Sequence, residues 1–141
     1  MIRCISPIDG SVYAEREAMS HDDALIAIAR SQAAQTAWAM TPIETRVDLV
    51  MKGVANLGEM NDEIVPALAW QMGRPIRYGG EFGGLNERAS YMANIAWEAL
   101  SPIEIENSDA FQRMIKRVPQ GVVLVIAPWN YPYKTAINTV A

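Results

Sequence analysis

Five consecutive apolar residues, Val122-Val123-Leu124-Val125-Ile126, follow Gly121 and run into Ala127-Pro128. A strand with one wet face alternates apolar and polar side chains, whereas one that is apolar throughout is covered on both faces in a parallel sheet. The run therefore predicts an α/β chain with a buried parallel strand at residues 122–126. Residues 132–141 would open the helix that follows it. The chain has 141 residues, half of them hydrophobic, which is enough for one ordinary domain with its own core.

Everything before residue 101 reads differently. Residues 2–19 form two short extended pieces joined by Pro7-Ile8-Asp9-Gly10, whose Asp-Gly pair suits a tight hairpin turn. Ser20 caps a first helix, with Asp22 and Asp23 in its first turn and an alanine-rich body to Ala39. Thr41-Pro42-Ile43-Glu44 reads as a capping box with proline at the first helical position, and Ile43, Val47, Val50, Val54 and Leu57 make the stripe of a second helix. Asn61 caps a third helix ending before Gly73, in which Pro66 should bend the helix or delay its start. The connector Gly79-Gly80-Glu81-Phe82-Gly83-Gly84 precedes a fourth helix striped by Leu85, Ala89, Met92, Ala96 and Leu100. A second hairpin spans residues 103–118, turning at Asn107-Ser108-Asp109. Its arm from Phe111 to Val118 does not sort into an apolar and a polar face, so it projects or meets a partner.

Open α/β sheets bind ligands at the carboxyl ends of their strands, and Ala127-Pro128-Trp129-Asn130-Tyr131-Pro132 occupies that corner. Pro128 fixes its own φ and Pro132 biases Tyr131 away from the helical region, which leaves the loop little freedom. A preorganised Asn130 amide can donate to a developing alkoxide without titrating. For Asn130 the plainer reading is a loop residue bonded to its own backbone, and for Trp129 an apolar plug beneath the loop.

The stretch from Gly121 to Pro132 resembles the NAD(P)-dependent aldehyde dehydrogenase superfamily. Thr41-Pro42-Ile43-Glu44-Thr45-Arg46 is similar to a helix start of that family, Gln71-Met72-Gly73-Arg74-Pro75 to its Glu-x-Gly-Lys-Pro, and Val118-Pro119-Gln120-Gly121-Val122-Val123 to its Pro-x-Gly-Val-Val. Gln71 in place of an acidic residue and Pro66 inside a helix depart from the pattern. The resemblance implies the N-terminal portion of an aldehyde-dehydrogenase-like fold: an N-terminal hairpin and helical layer of the cofactor-binding domain over residues 1–102, an oligomerisation-type β-hairpin arm over 103–118, and the first strand and loop of a Rossmann-like sheet over 119–141. It further implies that Asn130 is the oxyanion donor, that Ile126, Ala127, Pro128 and Trp129 line the nicotinamide and ribose of NAD or NADP, and that Tyr131 faces the substrate. The expected reaction oxidises an aldehyde to a carboxylate through a cysteine thiohemiacetal and thioester, in a homodimer or homotetramer. The family's nucleophilic Cys and general-base Glu lie beyond the position matching Ala141, so these residues alone are expected to be inactive. The alternative is a non-catalytic remnant acting through subunit interaction; a third reading is a helical scaffold whose motif is accidental.

The remaining reactive side chains point nowhere else. Cys4 sits in a hairpin with no base nearby in sequence and reads as inert, and His21 is a solvated helix-start residue. The glycine pairs lack the Lys-Ser/Thr of a phosphate loop, and Glu104 with Glu106 form a solvated strand face. No metal site is expected. Net charge is −4, from 12 basic and 16 acidic residues without a run, which disfavours nucleic acid as a partner. A single cysteine, no secretory pattern and no membrane-length apolar run lead to the expectation of a cytoplasmic protein.

Overall fold

The computed structural model describes all 141 residues. Strands β1 (Ile2–Ile5) and β2 (Val12–Arg16) pair antiparallel around the expected turn. Gly10 takes φ +76°, and Asp9 Oδ1 accepts from both the amide (3.0 Å) and the hydroxyl (2.7 Å) of Ser11. Helix α1 covers His21–Ala39, and its Ser20 cap accepts from the Asp23 amide. Helices α2 (Ile43–Glu59), α3 (Asn61–Met72) and α4 (Phe82–Leu100) follow, with a short 3₁₀ turn at Ile76–Tyr78 between the last two. Strands β3 (Ile103–Asn107) and β4 (Gln112–Ile115) make the second hairpin, and α5 (Pro132–Val140) closes the chain.

Several local expectations need correction. Pro42 is the N-cap of α2 and not its first helical residue, and the Thr41 hydroxyl donates back to the Ala37 carbonyl (3.1 Å), so no capping box forms. Asn61 is already helical; Met60 caps both α2 and α3, an immediate turn that leaves no room for a side-chain cap. Pro66 does not delay α3. Its missing amide would have met the Asp62 carbonyl, and both residues are exposed, so water can take that acceptor. Phe82, Gly83 and Gly84 belong to the first turn of α4 and not to the connector.

The core is one seam. Val54 of α2, Leu85 and Ala89 of α4 and Ile137 of α5 are buried together, flanked by Val50, Met51, Leu57, Phe82 and Tyr133. Helices α2 and α4 approach closely because Gly58 has no side chain: a Cβ there would fall 2.5 Å from the Phe82 ring. Helix α3 buries Ile64, Leu68 and Ala69, and its Trp70 stacks on Tyr13 of β2 at 6.3 Å. Only nine residues are buried, so the expected ordinary core is reduced to a single layer of helices.

The expected parallel strand explains the shortfall. Residues 122–126 are not in a sheet: both sheets are two-stranded antiparallel hairpins, and no backbone hydrogen bond reaches residues 118–129. Leu124 and Ile126 are 82% and 83% exposed. A strand exists by virtue of a partner, and β1 to β4 have each paired locally within their hairpins. The α/β class stands, as helices with β-hairpins, while the Rossmann-like sheet does not form among these residues. No helix is long and apolar enough to cross a membrane.

Two outcomes follow from this geometry. Gly73 ends α3 at φ +75°, where a Cβ would also meet the Pro7 ring at 3.2 Å. Replacing it with Ala should destabilise the chain by about 1–2 kcal/mol from left-handed strain, measured by denaturant unfolding. The Ser11 backbone amide and then its hydroxyl hold the Asp9 carboxyl below its ordinary 3.8. Because the folded value is the lower one, the turn's contribution is complete above 3.8 and is lost as pH falls through the folded value. A carboxyl NMR titration should place Asp9 below 3.8, and Ser11→Ala should move it part of the way back.

Candidate functional site

The corner after residue 126 is assembled from three separate parts of the chain. Pro132 occupies the first helical position of α5, where its missing amide costs nothing, and Tyr131 stands before it at φ −142°, ψ 60°, outside the helical region as the following proline requires. The Lys134 amide is one of the unpaired donors at the start of that helix. It donates to Glu81 Oε2 at 2.8 Å, so a carboxylate from the beginning of α4 caps α5 at its positive end.

The other oxygen of the same carboxylate has a different partner. Arg74 Nη1 donates to Glu81 Oε1 at 3.2 Å, and the side chains of the pair are only 10% and 1% exposed. Arg74 Nη2 then donates to the Asn130 backbone carbonyl at 2.6 Å. Its guanidinium also lies over the Tyr131 ring, 4.6 Å from the centroid. One planar cation therefore touches Glu81, Asn130 and Tyr131 together.

The six residues singled out in the sequence are brought together on this loop with different degrees of support. Ile126 and Trp129 are 83% and 76% exposed, so Trp129 is not a plug beneath the loop within this chain. Ala127 is half-buried, and Tyr131 is exposed with the Arg74 guanidinium over its ring. Asn130 is exposed and its side-chain amide makes no hydrogen bond within the chain, so it is not turned back onto its own backbone. Apolar side chains beside backbone amides and carbonyls with no intrachain partner match the flat ring and ribose hydroxyls of a nicotinamide nucleoside.

Cys4 belongs elsewhere: its thiol faces the Gln71 carbonyl at 3.9 Å on the first hairpin. The pair at this corner that sequence reasoning missed is Arg74 with Glu81. The signal available was a single carboxylate between two glycine pairs and a cation after Gly73; what joins them to Lys134, 53 positions from Glu81, is folding alone.

The aldehyde dehydrogenase family model matches residues 1–141, the whole chain. The chain belongs to the aldehyde dehydrogenase family. It is 31% identical to a vanillin dehydrogenase of Corynebacterium glutamicum over 144 aligned positions, covering 97% of this chain and 28% of that relative. A benzaldehyde dehydrogenase [NAD(+)] of Pseudomonas putida is 28% identical over 97% of this chain and 28% of its own length. Among solved structures, an NAD-dependent benzaldehyde dehydrogenase from Corynebacterium glutamicum superposes with a TM-score of 0.84 at 27% identity, over 99% of this chain and 31% of that one. The N-terminal portion of the aldehyde dehydrogenase fold is therefore present, and the chain spans less than a third of the length of these relatives. An accidental motif on an unrelated helical scaffold is excluded.

Removing Glu81 from this family member should be severe. Glu81→Ala leaves a nearly buried guanidinium uncompensated and uncaps α5, a loss of about 3–5 kcal/mol measurable by chemical denaturation.

Proposed function

We propose that this chain supplies the oxyanion corner and part of the nicotinamide-facing wall of an NAD(P)-dependent aldehyde dehydrogenase. The observation that carries this reading is the contrast at Asn130, whose backbone carbonyl is tethered while its side-chain amide is exposed and unpartnered. Attack of a thiolate on an aldehyde converts a neutral carbonyl oxygen into an alkoxide. A neutral amide held ready donates more strongly to that charge than to the ground-state oxygen, and so lowers the barrier. Carboxamide side chains do not titrate, so the donor is present at every working pH.

Ile126, Ala127, Pro128 and Trp129 would hold the nicotinamide and its ribose, through exposed apolar surface and free backbone groups. When bound, NAD or NADP supplies the hydride acceptor for the oxidation. The phenol ring of Tyr131 contributes an aromatic wall on the aldehyde side. Cys4 is not the nucleophile of this reading, which requires a thiol and a base outside these 141 residues.

The second hairpin serves as the oligomerisation arm. Every residue of β3 and β4 is exposed, including Ile103, Ile105, Met114 and Ile115, and a projecting two-stranded ribbon offers free edges to another subunit. The assembly is a homodimer or homotetramer.

In the enzyme that carries these residues, Asn130→Ala should lower kcat by about 10²–10³-fold while cofactor affinity is unchanged. Steady-state rates of NAD(P)H formation and a cofactor titration check the two halves separately. Unchanged turnover would remove the oxyanion role.

A further inference from the structure

We infer that Arg74, locked in place by Glu81, is the positioning residue for the Asn130-Tyr131 corner, so that a buried ion pair in the helical layer sets where the oxyanion donor stands. The inference deepens the proposed role of Asn130 and rests on it.

Residues 118–129 make no hydrogen bond to the rest of the chain, and the Asn130 carbonyl is the first group of this stretch that does. Its partner is Arg74 Nη2 at 2.6 Å. With that carbonyl held, the peptide plane joining Asn130 to Tyr131 is held too, and the Asn130 side chain keeps only its own χ rotations. Arg74 in turn cannot wander. Its Nη1 is engaged by a Glu81 carboxylate whose side chain is 1% exposed, and the other oxygen of that carboxylate is engaged by the Lys134 amide. The corner is thus clamped on both sides of Pro132, upstream through Arg74 and downstream through α5, and both clamps meet on one carboxylate.

The chemistry selects arginine. A guanidinium is a rigid planar fork, able to give one edge nitrogen to Glu81 and the other to Asn130 while its face lies 4.6 Å from the Tyr131 ring centroid. An ammonium at the same position keeps the charge that Glu81 needs. It has neither the fork nor the face, so it holds the carboxylate and releases the corner. A residue whose only task were to neutralise Glu81 would be replaceable by lysine; one that aims Asn130 would not.

The test is a double-mutant cycle in the intact enzyme, using benzaldehyde and succinic semialdehyde as probe substrates with NAD+ or NADP+. Arg74→Lys should leave the unfolding midpoint near that of the parent and lower kcat by about 10–10²-fold, the cost of misplacing a catalytic group by roughly an ångström. In the Asn130→Ala background the same substitution should cause no further loss, because the group it aims is gone. Glu81→Gln keeps an acceptor for Lys134 but unlocks Arg74. It should lower kcat in the parent and not further in the Asn130→Ala background, with a lowered unfolding midpoint because the guanidinium loses its counter-charge, and it gives a second reading of the same coupling. Amide exchange over residues 131–135 should also quicken in Arg74→Lys, a readout that needs no turnover. Parental kcat in Arg74→Lys, beside a large loss in Asn130→Ala, would overturn the inference and leave the oxyanion reading standing. An equal loss in both backgrounds would show that Arg74 acts by another route and would also overturn it. Full turnover in Asn130→Ala would remove the oxyanion reading and this inference with it.

Discussion

Glu81 is a carboxylate almost sealed from water, and the arrangement of the corner follows from how its two oxygens are engaged. Burying a carboxylate is costly unless each lone pair finds a donor, and here the donors come from two directions. Oε1 takes the Arg74 guanidinium and Oε2 takes the Lys134 amide in the first turn of α5. The ion pair thus links the end of α3, the start of α4, the Asn130 loop and α5. An interaction that by itself is weak evidence of stability becomes the joint on which a loop depends.

The surrounding fold explains why such a joint is needed. The core is a seam between α2, α4 and α5, and Ile137 is the only buried residue of α5. Helix α5 is tied to the rest by that packing and by the Glu81 carboxylate at its first turn. Upstream, residues 118–129 make no backbone hydrogen bond within these residues. Prolines at 128 and 132 narrow the conformations open to the loop, but they do not place it in space; Arg74 does.

Much of the fold was legible because it is local. The helix stripe of Ile43, Val47, Val50, Val54 and Leu57, the Ser20 cap, the Asp9-Gly10 turn and the Gly73 stop each depend on residues within a turn or two of one another, and each is found. The errors are local competitions decided by neighbours. Thr41 bonds back to α1, Asn61 is absorbed into a helix that starts without pause, and the apolar run 122–126 meets no strand to pair with.

The sequence by itself determined the positions of the helices and hairpins, the family, and the loop that presents Asn130, because hydrophobic period, capping and proline chemistry act over a few residues and are written where they act. Tertiary structure decided the rest: that Glu81 caps a helix 53 positions away and that Arg74 reaches the Asn130 carbonyl across 56 positions. A hydrogen bond between distant segments is set by how the intervening helices pack, and no short-range pattern encodes that packing.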